Sequence, residues 1–166
     1  MTPEQKKLIE DWRDDCKLLL TIHFDKAASC ENLNLWLAIP AVILSTIVGT
    51  SVFTSLGSNP VIWVQFLVGV VSIIVSILAG LQAYFKFPER AEKHRLTGAM
   101  YAALKKEIEH VLVIQPPDED KLSAWMSEVR VKWEHLRRES IALPKSELKA
   151  YRDEVASTAK QSTRQN

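Results

Sequence analysis

Charged residues are absent from one long block of the chain. The protein has 166 residues, of which 25% are charged, yet residues 32–85 contain no Asp, Glu, Lys or Arg. The block holds two apolar runs, residues 33–56 and 61–85, separated by the turn signal GSNP at 57–60. About 20 apolar residues cross a hydrocarbon layer about 30 Å thick. Each run therefore predicts a transmembrane helix, and the two together predict a membrane hairpin.

The alternative interpretation is a buried hairpin in a soluble protein. Two helices that are apolar all round would need a large amount of protein to cover them. The rest of the sequence predicts amphipathic helices with one apolar stripe each, which is too little cover. The sequence therefore favours an all-α membrane protein, with a two-transmembrane hairpin fused to a cytoplasmic bundle of amphipathic helices.

Patterns typical of enzymes and of metal or nucleic-acid binding are also missing. The chain has two cysteines and four histidines, none of them in paired metal-ligand spacing. It lacks a glycine-rich phosphate loop and a GxSxG motif. Its formal net charge of +1 argues against a nucleic-acid surface. We expect no catalytic residue, no cofactor and no metal. The segment ERAEKHR could hold a Glu–His pair, but a basic flank at a membrane exit fits it better.

Basic residues predict the orientation of the hairpin. Lys86, Arg90, Lys93 and Arg95 follow the second run, whereas the turn at 57–60 carries no basic residue. Because basic residues concentrate on the cytoplasmic side, both termini are expected in the cytoplasm and the turn outside. The chain is thus predicted to cross the membrane twice, with the turn on the outer side.

The regions outside the hairpin show helical periodicity. Residues 1–31 predict an N-terminal cytoplasmic amphipathic helix that starts at a capping box, and the hairpin occupies 32–85. Residues 86–160 predict cytoplasmic helices over about 88–113, 118–140 and 145–159. Residues 161–166 are expected to form a disordered tail. The predicted inward-facing residues are Leu8, Trp12, Cys16, Leu19, Leu20, His23, Ala27, Leu96, Met100, Ala103, Leu104, Ile108, Val111, Leu122, Trp125, Met126, Val129, Trp133 and Leu136.

Small residues form a stripe along each predicted span. In lipid, small residues let helices approach closely and so indicate contact faces. An antiparallel hairpin would bring the two stripes to matching depths, which predicts packing within one subunit. The alternative use is to line or seal a pore between subunits. The stripe residues are Ala41, Ser45, Gly49, Gly69, Ser72, Ser76 and Gly80.

Two prolines are candidate hinges. Pro40 removes a backbone hydrogen bond inside the first span, although a tolerated early-helix proline is the commoner case. Pro88 follows the membrane exit and suits the first turn of a new helix. We expect an elbow at residues 86–88, from which the following helix could act as a lever on the second span.

The order of these features resembles a known family. An amphipathic lead helix and two spans are followed by PERAEKHRLTGAMYAALKKEIE, a proline-rich break and WEHLRRESIALP. The group Glu92, His94 and Arg95, followed by Tyr101, Leu104 and Glu107, carries most of the resemblance. Over residues 8–145 the chain is similar to the SLATT family, the SMODS and SLOG-associating two-transmembrane effector domains of bacterial conflict systems.

The resemblance implies a function and partners, but no catalytic residues. It implies a homo-oligomeric effector of anti-phage, abortive-infection systems that forms a pore or disrupts the inner membrane. The trigger would be a sensor or nucleotide-second-messenger synthase of the SMODS or SLOG type, acting in trans. The alternative is a passive two-span anchor that presents the bundle to a partner.

Overall fold

Four long helices make up most of the computed structural model, which describes residues 1–55, 62–114, 118–144 and 146–153. They are α1 (Pro3–Ser55), α2 (Ile62–Phe85), α3 (Phe87–Ile114) and α4 (Glu119–Glu139). Residues 146–153 are also helical. No strand occurs among the described residues, which confirms the all-α prediction.

Several predictions fall on residues outside the described ranges. They are the turn at 57–60, residues 115–117 of the proline-rich break, the end of the helix predicted over 145–159 and the tail at 161–166.

The ends of the helices follow local signals in the sequence. At the start of α1, the Thr2 amide donates to Gln5 Oε1 (2.7 Å) and the Gln5 amide donates to Thr2 Oγ1 (3.2 Å). This reciprocal pair is the predicted capping box. At α4, Asp118 is the N-cap and accepts from the Asp120 amide, while Ser140 is the C-cap. The predicted bounds 118–140 therefore match α4 with its two caps.

Helix α1 joins the predicted lead helix and the first span in one continuous helix. It runs unbroken for 53 residues, with Pro40 inside it. Proline removes one backbone hydrogen bond, but neighbouring protein or solvent can compensate for it. The sequence between the amphipathic part and the apolar run contains neither glycine nor another proline. The chain therefore continues as one helix where the composition changes.

The chain divides into two compact units. One contains Met1–Ala27 and Glu92–Asn166, and we call its described part the helical bundle; the other is Ala28–Ala91, the apolar hairpin. The bundle has a buried core drawn from α1, α3 and α4. The core residues are Ile9, Cys16, Tyr101, Leu104, Ile108, Leu122, Val129 and Leu136.

The bundle core corrects part of the predicted set of inward-facing residues. On α4 every predicted residue is buried or packs against the core. On α1, Leu8 is exposed and Ile9 is buried instead. On α3, Leu96 and Met100 are exposed, as is Ala103.

The buried face of the first half of α3 was predicted wrongly, because the side chains on that face are polar or small. The buried positions there are Ala91, His94, Gly98 and Tyr101, with spacings of three and four. Gly98 allows a close approach, since a Cβ at this position would lie 3.3 Å from the ring of Phe24 on α1. Apolarity alone selected the opposite face, where Leu96 lies.

Candidate functional site

The apolar hairpin has the surface of a membrane-embedded segment. Helix α2 has 24 residues and is therefore about 36 Å long, enough to cross a bilayer core of about 30 Å. None of its residues is buried, and 6% of the most apolar window of α1 is buried. The core helix of a soluble protein would be mostly covered. Trp36, Trp63 and Tyr84 are about four-fifths exposed near the ends of the spans, as is typical of aromatic residues at membrane interfaces.

One face of each helix is partly covered within the hairpin. On α1 the covered residues recur every three or four positions, and a similar series runs along α2. This spacing is that of two helices packed lengthwise. The covered positions include Asn34, Leu37, Ala38, Ala41, Leu44 and Val48 on α1, and Val68, Val71, Ser72, Val75, Leu78 and Gln82 on α2.

A polar contact joins the two helices near the charged boundary. The Gln82 side-chain amide donates to the backbone carbonyl of Asn34 at 3.4 Å. A buried polar group in lipid needs such a partner. The contact pairs one end of each apolar run, and so pins the helices in register at that depth.

The small-residue stripe is divided between the covered and the outer faces. Ala41 is buried, and Ser72 and Gly49 are half-buried. The remaining four residues are exposed: Ser45, Gly69, Ser76 and Gly80. A Cβ built on any of the three hairpin glycines would meet no other atom within 4 Å. In the single chain, Gly69 and Gly80 therefore do not make the close helix contact that the sequence predicted for them.

The hydroxyl groups of the stripe are satisfied by their own helix. Ser72 Oγ donates to the Val68 carbonyl (2.8 Å) and Ser76 Oγ to the Ser72 carbonyl (2.9 Å). Ser45 does the same with Val42 at 2.9 Å. These hydroxyls can therefore face lipid or a neighbouring helix without an unpaired donor.

Lys86 separates α2 from α3, within the segment 86–88 where an elbow was predicted. Its φ is +48°, the only positive φ among the described non-glycine residues. This left-handed conformation is unfavourable for residues with a Cβ. Pro88 lies in the first turn of α3, where its missing N–H costs nothing. The departure from helical geometry between the two helices is thus confined to one residue.

The four basic residues predicted at the membrane exit are exposed. Lys86 lies 3.5 Å from Glu89, and Arg95 lies 3.9 Å from Glu92. Arg90 and Lys93 are also exposed. Acidic neighbours thus accompany the basic residues. The residues that follow the apolar run therefore carry charges of both signs.

The bundle contains a buried pair of histidines that the sequence did not predict. Nδ1 of His23 on α1 lies 2.9 Å from Nδ1 of His94 on α3. His23 is 1% exposed and His94 is 8% exposed. The ring of Tyr101 stacks on His23, with centroids 5.9 Å apart, and Trp133 of α4 packs edge-on against Tyr101. Seventy-one positions separate the histidines, so no local spacing could have revealed the pair.

Burial sets the protonation of the groups in the bundle core. Burial, with a smaller contribution from neighbouring His94, lowers the pKa of His23 to about 4. Burial also lowers the pKa of His94, with Lys26 acting in the same direction and Glu147 opposing it. For Cys16, burial raises the thiol pKa to about 12. The bundle core is therefore electrically neutral near pH 7.

Ion pairs attach residues 146–153 to α1. Lys26 Nζ lies 2.8 Å from both carboxylate oxygens of Glu147. Arg152 lies 3.2 Å from Asp15. Within residues 1–55, 62–114, 118–144 and 146–153, no group of three His, Cys, Asp or Glu side chains could hold a metal ion.

Comparison with protein families identifies a two-transmembrane effector domain. The family described as SMODS and SLOG-associating 2TM effector domain family 4 matches residues 19–159. That range includes both apolar runs, the histidine pair and α4. Neither the curated proteins nor the solved structures gave a match.

Proposed function

Because the chain belongs to the SMODS and SLOG-associating 2TM effector domain family 4, we propose that it permeabilises the bacterial inner membrane when its partner is activated. It is a membrane protein of an effector family rather than of a known enzyme family. In the proposed mechanism, several copies assemble through their hairpins. The trigger is a SMODS-type nucleotide synthase or a SLOG-type sensor in trans.

The exposed small residues of α2 are the observation that carries this proposal. Gly69, Ser76 and Gly80 lie on the outer side of the hairpin, and no atom approaches within 4 Å of a Cβ placed on either glycine. Small residues at helix surfaces in lipid permit the close backbone approach on which helix association depends. A second hairpin can therefore pack there.

The chemistry of the spans supports a simple permeation path. Residues 32–85 hold no charged side chain and no histidine, and such groups usually mark ion-coupling sites and proton relays. A path lined by Ser and Gly would be weakly polar. Gated leakage suits this lining better than selective or coupled transport.

Substitutions on the outer face of α2 test the proposal. The chain is expressed in bacteria with its SMODS or SLOG partner, and a potential-sensitive dye reports depolarisation. Changing Gly69, Ser76 and Gly80 to leucine should abolish depolarisation and leave membrane insertion intact. The control changes three exposed isoleucines of the same helix, Ile73, Ile74 and Ile77, to leucine. Isoleucine and leucine have the same size, so this control adds no bulk to the helix surface. Equal depolarisation by both triple variants, or none with the wild type, contradicts the proposal.

Orientation is tested separately. With both termini in the cytoplasm, a cysteine in place of Ser58 should react with a membrane-impermeant maleimide in intact cells. A cysteine in place of Lys93 should react only after the membrane is opened. The reverse pattern would overturn the orientation and leave the hairpin itself unaffected.

The elbow offers a route by which the bundle could act on α2. Helix α3 begins at Phe87, directly after Lys86, so movement of α3 pulls on the end of α2. Replacing Pro88 with alanine should change the extent of depolarisation without changing assembly, measured by crosslinking in membranes. Unchanged depolarisation would remove the elbow from the mechanism.

A passive anchor is the second candidate. It is favoured by the separate buried core of the bundle, which is suited to presenting a fixed surface. If the hairpin only anchors, replacing residues 33–85 by an unrelated two-span hairpin should preserve function. Loss of function after that exchange excludes the anchor.

A further inference from the structure

We propose that the His23–His94 pair is an acid-sensitive switch that holds α1 against α3 while both rings are neutral and weakens this contact when the pair takes up protons. The proposal concerns the helical bundle alone. It is independent of membrane permeabilisation, and each experiment can fail without the other.

The geometry requires complementary protonation of the two rings. Two Nδ1 atoms at 2.9 Å can share a hydrogen bond only if one carries a proton and the other does not. The neutral rings are then opposite tautomers. If both rings are fully protonated, two N–H groups and two positive charges face each other and the bond is lost.

The surroundings cannot easily accept the added charge. The two rings are 1% and 8% exposed, and Tyr101, itself packed against Trp133, stacks on His23. Burying a charge without a partner is unfavourable. Acid therefore introduces charge at a site with little solvent to stabilise it.

The nearby charges partly cancel at the pair. Lys26 on α1 repels a proton on His94, whereas Glu147 in residues 146–153 attracts it. These two groups form an ion pair with each other at 2.8 Å. Arg137 on α4 acts on Tyr101, whose ring stacks on His23. Replacing Lys26 with methionine should therefore let His94 accept a proton at higher pH.

The pH range follows from the sign of the shift. Burial lowers the pKa of His23 from 6.5 to about 4, so the unfolded chain binds protons more readily than the folded bundle. The contribution of neutral His23 to the stability of the bundle is complete above pH 6.5. It is lost as pH falls from 6.5 toward 4. Between pH 7.5 and 5.0, His23 alone should raise the unfolding equilibrium constant about 30-fold.

The experiment measures urea unfolding of the full chain in nanodiscs by pulse proteolysis at pH 7.5 and 5.0. Asparagine places a neutral amide near the position of Nδ1, so the variant H23N/H94N should fold and lose most of the acid effect. The control H110N/H135N removes the same number of histidines from exposed positions and should keep it. An acid effect of equal size in both variants overturns the proposal.

A measurement on the wild-type chain covers the case in which H23N/H94N does not fold. Nitrogen NMR of histidine rings distinguishes the two neutral tautomers from the imidazolium form. At pH 7.5 and 6.0 the rings of His23 and His94 should be neutral and in opposite tautomers. Protonation of both rings near pH 6.5, as in an unperturbed histidine side chain, would overturn the proposal.

Discussion

The two units of this protein differ in what covers their apolar side chains. In the helical bundle, Ile9, Ile22 and Ile108 are fully buried. In the described part of the apolar hairpin, only Ala41 and Ala91 are buried, although this unit is the more apolar. Water drives apolar groups together in the bundle, whereas lipid tails are as apolar as the helices and give no such drive. The same residue type therefore has different energetic roles in the two units.

Thiol reactivity should show the largest difference between the units. Cys16 is buried in the bundle core and Cys30 is half-buried in the hairpin. Burial raises the pKa of Cys16 from 9.0 to about 12, which lowers its thiolate fraction about a thousandfold, and the thiolate is the reactive form. With iodoacetamide at pH 8, labelling followed by mass spectrometry should find Cys30 modified and Cys16 protected until urea is added. Rapid labelling of Cys16 in the native protein would contradict the buried core.

Matched truncations should separate the two kinds of packing. Ile108→Ala removes a fully buried side chain from the bundle, whereas Ile73→Ala removes one that is 63% exposed in the hairpin. We expect Ile108→Ala to lower the free energy of unfolding of the bundle by about 2–5 kcal/mol. Ile73→Ala should cost less than about 1 kcal/mol. Urea unfolding in nanodiscs measures both; similar costs would mean that the outer face of α2 packs as tightly as the bundle core.

An arginine substitution should reduce membrane insertion at an exposed position of the hairpin and leave it unchanged at an exposed position of the bundle. Ile74 in the hairpin is 44% exposed and Val131 in the bundle is 68% exposed. Arginine in the middle of a transmembrane helix costs about 2.5–3.5 kcal/mol on insertion scales, while an exposed site in water changes stability by about 0.5 kcal/mol or less. Ile74→Arg should therefore reduce membrane insertion, measured by protease protection. Val131→Arg should leave it unchanged, and equal insertion of both would count against a lipid-facing α2.

A glycine substitution should raise the stability of the protein at Lys86 and lower it inside the neighbouring helix α3. Lys86 has a φ of +48°, which glycine adopts without strain, so Lys86→Gly should stabilise the protein by about 1 kcal/mol. Lys93 lies inside α3, where glycine should destabilise by up to about 1 kcal/mol. Thermal unfolding in nanodiscs gives the sign of each change. A loss of stability in Lys86→Gly would show that Lys86 makes contacts that outweigh its backbone strain.

Local signals in the sequence were sufficient for the helices and their ends. The capping box at Thr2 appears where the sequence predicted it, and the predicted bounds 118–140 coincide with the caps of α4. The inward face of α4 was predicted completely because its apolar residues are large and strictly periodic. The family resemblance also proved correct, since the matched range covers most of the chain.

Predictions that depended on contacts between helices were less successful. Leu96 and Met100 were expected inside and are exposed, since α1 packs on the side of α3 that carries His94 and Gly98. The small residues were expected to pack within one chain, yet Gly69 and Gly80 have no neighbour within 4 Å of a built Cβ. Which of several similar faces a helix uses depends on the partner helix.

The sequence by itself determined that this is a helical protein with two spans, because a charge-free block of this length has few alternatives to lipid. It also fixed the helix ends, since capping depends on neighbours a few residues apart. Only the tertiary structure placed His23 beside His94 and located the left-handed residue at Lys86. Such features arise from distant segments meeting, or from one backbone angle, and neither leaves a periodic pattern in the chain.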